Sequence, residues 1–215
     1  VGYVLANLGG VARARGDLPR ARILLEEAAA RFEETNDDRG RADAVVRLGY
    51  LALAEGSVDD ARACLERALR LRRQLNERRS VGLALSGLGF IETIAGEYER
   101  AERRLAEARD IFHRAGDRWG LATTLWRTAD LALERGRLDD AEAALREALA
   151  VLGETRRERW IAQTMAGLAE VVALRGDPEE AVVLFTDARE RYAVSDDELG
   201  VESVDERLRA LAKAR

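Results

Sequence analysis

Glycine returns at Gly16, Gly56, Gly96, Gly136 and Gly176, a spacing of 40 residues each time with no insertion. Other columns keep the same register. Alanine follows at Ala21, Ala61, Ala101, Ala141 and Ala181, and again at Ala28, Ala68, Ala108, Ala148 and Ala188. Between the two alanines stands a large apolar residue: Leu25, Leu65, Leu105, Leu145 or Phe185. Ahead of each glycine come Leu8, Leu48, Leu88, Thr128 and Leu168, each followed by a small residue: Gly9, Gly49, Gly89, Ala129 or Ala169. A strict period of this length argues against a fold built around one centre. Each copy is a supersecondary unit that buries its apolar face against its neighbours.

Within a copy the apolar spacing is helical. Leu85, Leu88, Ile91 and Ala95 lie three and four apart, one face of an amphipathic helix. That helix stops near the repeat glycine, which can take left-handed backbone. A second helix starts shortly afterwards. Pro19 and Pro178 fall in its first turn, where a missing N–H costs nothing. Asp59–Asp60, Asp139–Asp140 and Glu179–Glu180 occupy the same turn, at the positive helix end. Polar stretches near 35–40, 75–80 and 115–120 join the copies, with Asp37, Asp117 and Asp197 as N-caps or near-caps.

The expected fold class is therefore all-α, an α-α superhelix forming one solenoid over 1–215. It comprises five helix-turn-helix repeats at 1–40, 41–80, 81–120, 121–160 and 161–200, and a terminal helix at 201–215. In that last segment Val201, Val204 and Leu208 hold the apolar columns while Asp205 and Arg209 break them, the polar face expected of a cap. Val1 begins inside a first helix without a cap residue, which suggests an array continuing upstream.

Hydrophobic residues make up 47% of the chain, enough for a sizeable core, and the 35% that are charged nearly balance, at a net charge of -5. That mixture fits a solvated helical surface and not a disordered acidic tail. No apolar run is long enough to cross a bilayer, and no basic-then-apolar leader opens the chain. The lone Cys64 has no internal disulfide partner. The expectation is a cytoplasmic location and no membrane partner.

The pattern resembles the tetratricopeptide repeat, whose signature reads W-x2-L-G-x2-Y, then A-x3-F, then P. Here the matching residues are Leu5-x2-Leu8-Gly9 with Ala21-x3-Leu25, Val45-x2-Leu48-Gly49 with Ala61-x3-Leu65, and Leu85-x2-Leu88-Gly89 with Ala101-x3-Leu105. The resemblance covers nearly the whole chain. It departs in having no Trp at the first position and no closing Pro, since Glu33, Arg73, His113, Gly153 and Ala193 stand there. The 40-residue unit is similar to arrays in large bacterial signalling-ATPase and LuxR-type regulators, to which Asp117–Gly120 and Leu5–Gly9 also bear likeness.

The resemblance implies a concave groove lined by the first helices. One groove column would read Gly10, Tyr50, Phe90, Asp130 and Glu170, and another Ala6, Val46, Ser86, Trp126 and Ala166, with Leu53, Thr93, Ile94, Leu133 and Glu134 a turn further on. The expected partner-binding residues are Tyr50, Leu53, Phe90, Thr93, Ile94, Trp126, Asp130, Glu134 and Glu170, aromatic and apolar in the middle and acidic towards the C-terminal end. Two readings of Tyr50, Phe90 and Trp126 stand side by side: anchors for a bound chain, or packing between repeats. The fold's carboxylate clamp of Lys, Arg and Asn is not expected, because those columns are mostly apolar or acidic here.

Nothing in the residues suggests catalysis or a cofactor. A metal cluster or Ser–His–Asp triad needs partners that the single histidine, His113, does not have. His113 reads as a helix-end residue, Cys64 as packing, and Trp119 and Trp160 as wedges at repeat junctions. No phosphate-loop motif occurs. The chain has 34 arginines, and Arg67, Arg70, Arg72, Arg73, Arg78 and Arg79 cluster, but the balance is acidic and Glu66 can pair with Arg70. Direct nucleic-acid binding is not expected. The implied role is a scaffold for a protein or peptide, as the sensing arm of a larger bacterial regulator that can also engage other domains of its parent chain. The alternatives are a free-standing adaptor, a peptide-pheromone receptor or a self-stacking array.

Overall fold

The computed structural model describes residues 1–153 and 157–213. Its described residues form helices and no strands. The helices are α1 (Gly2–Ala14), α2 (Leu18–Glu34), α3 (Asp38–Ala54), α4 (Val58–Gln74), α5 (Arg78–Ile94), α6 (Tyr98–Ala115), α7 (Arg118–Glu134), α8 (Leu138–Leu152), α9 (Glu158–Leu174), α10 (Pro178–Val194) and α11 (Glu198–Lys213). They form two compact units, Val1–Ile111 and Phe112–Arg215, with the boundary inside α6. In the first unit α1 packs on α2, α2 on α3, α3 on α4 and α4 on α5; in the second α7 packs on α8, α8 on α9, α9 on α10 and α10 on α11. Each repeat is thus a first and a second helix, and the fold class is the all-α solenoid of helix pairs.

The repeating columns are the core. Ala21, Leu25 and Ala28 are fully buried, as are Ala61, Leu65 and Ala68. The small residue after each first-helix leucine lets the backbones of a pair approach. A β-carbon on Gly9 would lie 2.7 Å from the Leu25 side chain, and one on Gly89 2.6 Å from Leu105. Between the helices of a pair the repeat glycine is left-handed, with φ from 69° at Gly136 to 93° at Gly176. Between pairs Asn36, Asn76, Gly116 and Asp196 take the same left-handed role.

The acidic caps form as expected. Asp37 Oδ1 accepts from Gly40 N at 2.9 Å, Asp117 Oδ1 from Gly120 N at 3.0 Å, and Asp197 Oδ1 from Gly200 N at 3.1 Å. Because Asp197 caps it, α11 starts at Glu198, three residues before the expected 201. The two residues that break its apolar columns make contacts: Asp205 pairs with Arg189 at 2.6 Å, and Arg209 donates to the Asp205 carbonyl at 3.1 Å. Glu66 lies 3.8 Å from Arg100 of the next repeat's second helix, so it reaches across repeats, where the sequence suggested Arg70 of its own helix.

The 40-residue period hides a longer alternation. Phe32, Phe112 and Tyr192 end the second helices of the odd repeats, and eight residues later stand Gly40, Gly120 and Gly200. At each of these three glycines a β-carbon would overlap the aromatic ring. At the even repeats the same two columns read Arg72 with Ser80 and Leu152 with Trp160, and the Asp cap becomes Glu77 or Arg157, neither of which makes a side-chain cap. The aromatic-on-glycine packing with its Asp cap therefore recurs only at alternate junctions.

Candidate binding surface

In the first unit the candidates lie on α3 and α5. Tyr50, Leu53 and Phe90 are half-buried, and Ile94, at the end of α5, is 50% exposed. Thr93 is different. It is buried, and its hydroxyl donates to the Gly89 carbonyl at 2.8 Å, so it presents no polar group to a partner. It shares its column with half-buried Leu53 and Leu133, and a small β-branched side chain there sinks beneath its neighbours. Arg47 of α3 braces α1, donating to the Ala6 carbonyl at 3.2 Å and to Asn7 Oδ1 at 3.1 Å. It lies so close to Gly10 that a β-carbon there would come within 2.8 Å of its guanidinium.

In the second unit the candidates lie on α7 and α9. Trp126 Nε1 donates to Thr164 Oγ1 at 2.8 Å, and its ring lies over Gly167, where a β-carbon would be 2.9 Å away. One edge and one face of the indole are thus spent on joining α7 to α9. Asp130 follows one turn later, half-buried. Burial pushes its carboxyl from 3.8 up to about 6; Arg127 pulls against that shift and Glu134 adds to it. Glu134 and Glu170 are exposed. Glu170 is held by Arg207 of α11 at 3.1 Å, a contact that the groove columns do not suggest. Leu174, 67% exposed, is absent from the expected set, although it falls 40 residues after Glu134 and 80 after Ile94 in one column.

Trp119 and Trp160 meet edge-to-face with ring centroids 4.5 Å apart, and the Arg157 guanidinium sits 4.5 Å from the Trp119 ring centroid. Cys64 is half-buried, and burial, with Asp60 nearby, pushes its thiol up, away from the reactive thiolate. His113 is exposed near the end of α6. It borders a cleft of about 360 Å³ with Asp117 and Glu147, and a second cleft of about 410 Å³ lies at the corresponding turn 80 residues on, with Asp197 and Asp205. Both clefts open at Asp-capped junctions, so they belong to the turn geometry of the repeat. Among the described residues no group of three His, Cys, Asp or Glu is placed to hold a metal, and no helix is long and apolar enough to cross a membrane.

These features accompany a clear family relationship. The tetratricopeptide repeat model matches residues 2–74 and 80–154. The chain belongs to the tetratricopeptide repeat family. The two matches begin near the starts of repeats 1 and 3 and each span most of two repeats, in step with the two-repeat alternation. No curated protein matches the sequence. Among solved structures, BtubC (BKLC) from P. vanneervenii is 22% identical, with 89% of this chain and 80% of that one covered at a TM-score of 0.75. The Rap conjugation gene regulator of the plasmid pLS20, in complex with the Phr* peptide, is 15% identical, with 95% and 56% covered at a TM-score of 0.79. The signal transduction ATPase PH0952 from Pyrococcus horikoshii, a protein with a tetratricopeptide repeat sensor, is 14% identical, with 99% and 37% covered at a TM-score of 0.70. At these identities the likeness is one of tetratricopeptide fold.

Proposed function

We propose that this tetratricopeptide chain is a protein- or peptide-binding scaffold whose partner-facing residues lie on the first helices, and that it acts as the sensing arm of a larger bacterial regulator in the cytoplasm. The observation that carries the binding role is Asp130. A half-buried carboxyl pushed up to about 6 is a poor contributor to the fold, and with Glu134 and Glu170 it gives the α7 and α9 faces an acidic character. Leu174 and the uncovered part of Trp126 add apolar surface there, and Tyr50, Phe90 and Ile94 supply it in the first unit. A segment carrying an apolar anchor and a basic side chain suits such a surface.

The Rap regulator in complex with the Phr* peptide supports the peptide-binding reading and also keeps the peptide-pheromone receptor as an alternative. PH0952, with its repeat sensor on an ATPase, supports the place within a regulator; a free-standing adaptor is the alternative to that part. A random peptide display library panned against the chain tests the binding role, with the triple variant Asp130→Asn, Glu134→Gln and Glu170→Gln as counter-target. Enrichment of Arg- or Lys-containing apolar peptides that the variant loses is the expected result. Equal enrichment on both proteins, or none on either, refutes it. The reading frame around the segment tests the parent chain: a nucleotide-binding module beside the array supports the sensing arm, and its absence favours the adaptor.

A further inference from the structure

We propose that the junction between α4 and α5 is a reversible ionic latch, the one compliant joint of the first unit, set beside a junction between α2 and α3 that is locked by packing. The two turns share one backbone. Asn36 and Asn76 have φ of 53° and 55°. The following amides fold back alike, Asp37 N onto the Phe32 carbonyl at 2.8 Å and Glu77 N onto the Arg72 carbonyl at 3.1 Å. What differs is the side chains that hold the next first helix in place.

At the locked junction the buried Phe32 ring sits on Gly40, and Asp37 caps the amide of that glycine. Opening it would expose an aromatic ring and uncap a helix, with no compensating hydration. At the other junction Arg72 takes the place of the ring. Its guanidinium, only 7% exposed as a residue, pairs with Asp43 of α3 and with Glu77. Glu77 also takes Arg39 at 2.7 Å. Burial pushes the Glu77 carboxyl up, but the hydrogen bond and charge of Arg72, with Arg39 and Ser80, outweigh it and hold the group below its ordinary value. Glu77 makes no side-chain cap, and Ser80 stands where the lock has glycine.

A buried ion pair recovers by hydration much of what it loses on separation, whereas a buried ring recovers nothing. Asp43 is already half-exposed, so water reaches the pair at little cost. Opening the latch moves the α5 face carrying Phe90 and Ile94 relative to the α3 face carrying Tyr50. The latch rests on its own contacts and stands whatever those faces bind.

Hydrogen exchange on the unliganded chain tests it, comparing protection factors of amides 76–81 with those of 36–41. The latch turn should be less protected by about tenfold or more, and about 1 M NaCl should widen the gap by screening the separated charges that opening brings into water. The triple variant Arg72→Phe, Glu77→Asp and Ser80→Gly installs the lock, and it should raise 76–81 to the protection of 36–41 and remove the salt response. Arg72→Met combined with Arg39→Gln deletes both charges that Glu77 holds, with little loss of bulk at the buried position, and should also remove the salt response, which keeps the test decisive if the triple variant fails to fold. Equal protection of the two turns in the parent protein overturns the latch, as does a salt response that survives in Arg72→Met combined with Arg39→Gln.

Discussion

Replacing Asp130 with Asn is expected to stabilise the protein at neutral and alkaline pH. The folded carboxyl titrates at about 6 and the unfolded one at 3.8, so the folded chain holds the proton more tightly. The folded state then binds more protons than the unfolded one across that window, and stability falls as pH rises through it. The contribution is most favourable below 3.8 and fully lost above about 6. Each tenfold change in the ionisation constant is worth about 1.4 kcal/mol, so ionised Asp130 withholds about 3 kcal/mol at most. Solvent reaches part of the side chain and screens it, which brings a realistic figure to about 1–2 kcal/mol. Asn keeps the shape and removes the charge. Urea unfolding at pH 8 and pH 4 checks the reasoning: the variant's advantage should appear at pH 8 and fall below about half by pH 4. An Asn variant no more stable than the parent at pH 8, or one whose advantage ignores pH, would refute it.

Two further outcomes follow from the packing. Glu92 is fully buried at a column that elsewhere holds Ala12, Ala52, Ala132 or Val172, and both its oxygens lack a hydrogen bond, with Arg104 Nε at 3.6 Å and Arg100 Nε at 3.7 Å. Burial pushes its carboxyl up against the pull of those arginines, so Glu92→Met should raise stability at neutral pH by about 1–3 kcal/mol; a lower melting temperature would mean that the ionic attraction outweighs desolvation. Gly120→Ala drives a β-carbon into the Phe112 ring and should cost about 1–3 kcal/mol, whereas Ser80→Ala in the same column meets no ring and should cost under about 1 kcal/mol; denaturant midpoints that move equally would contradict the lock.

Much of the fold is legible in the order of the residues. Gly16 and its partners mark the left-handed turns, Pro19 and Pro178 the first turns of second helices, and Asp37, Asp117 and Asp197 the caps. Each is a local signal, because turn and cap chemistry acts within a few residues. The alternation of junctions is equally present in the letters, but it does not stand out there. Phe32 and Gly40 belong to different helices, and nothing in the spacing announces that a ring lies on a glycine eight residues later.

The candidate surface is legible only in part. Its columns place every candidate on a first helix, but a column gives the angle of a side chain around its helix and not its depth. Thr93 and Ile94 are neighbours in sequence, yet one is buried and the other half-exposed. The column of Trp126 leaves anchor and packing both open, and only the structure shows Thr164 and Gly167 on the adjacent first helix taking its N–H and one ring face.

The repeat, its two helices, the turns and the Ala–Leu–Ala core follow from the residue order, since they depend on residues near one another along the chain. Only helix packing sets how deep each groove candidate lies, brings Arg207 onto Glu170, and closes one junction with Arg72 where a ring closes its neighbour. Those outcomes depend on the size and charge of side chains that meet only after the helices have packed, and a 40-residue period carries no record of them.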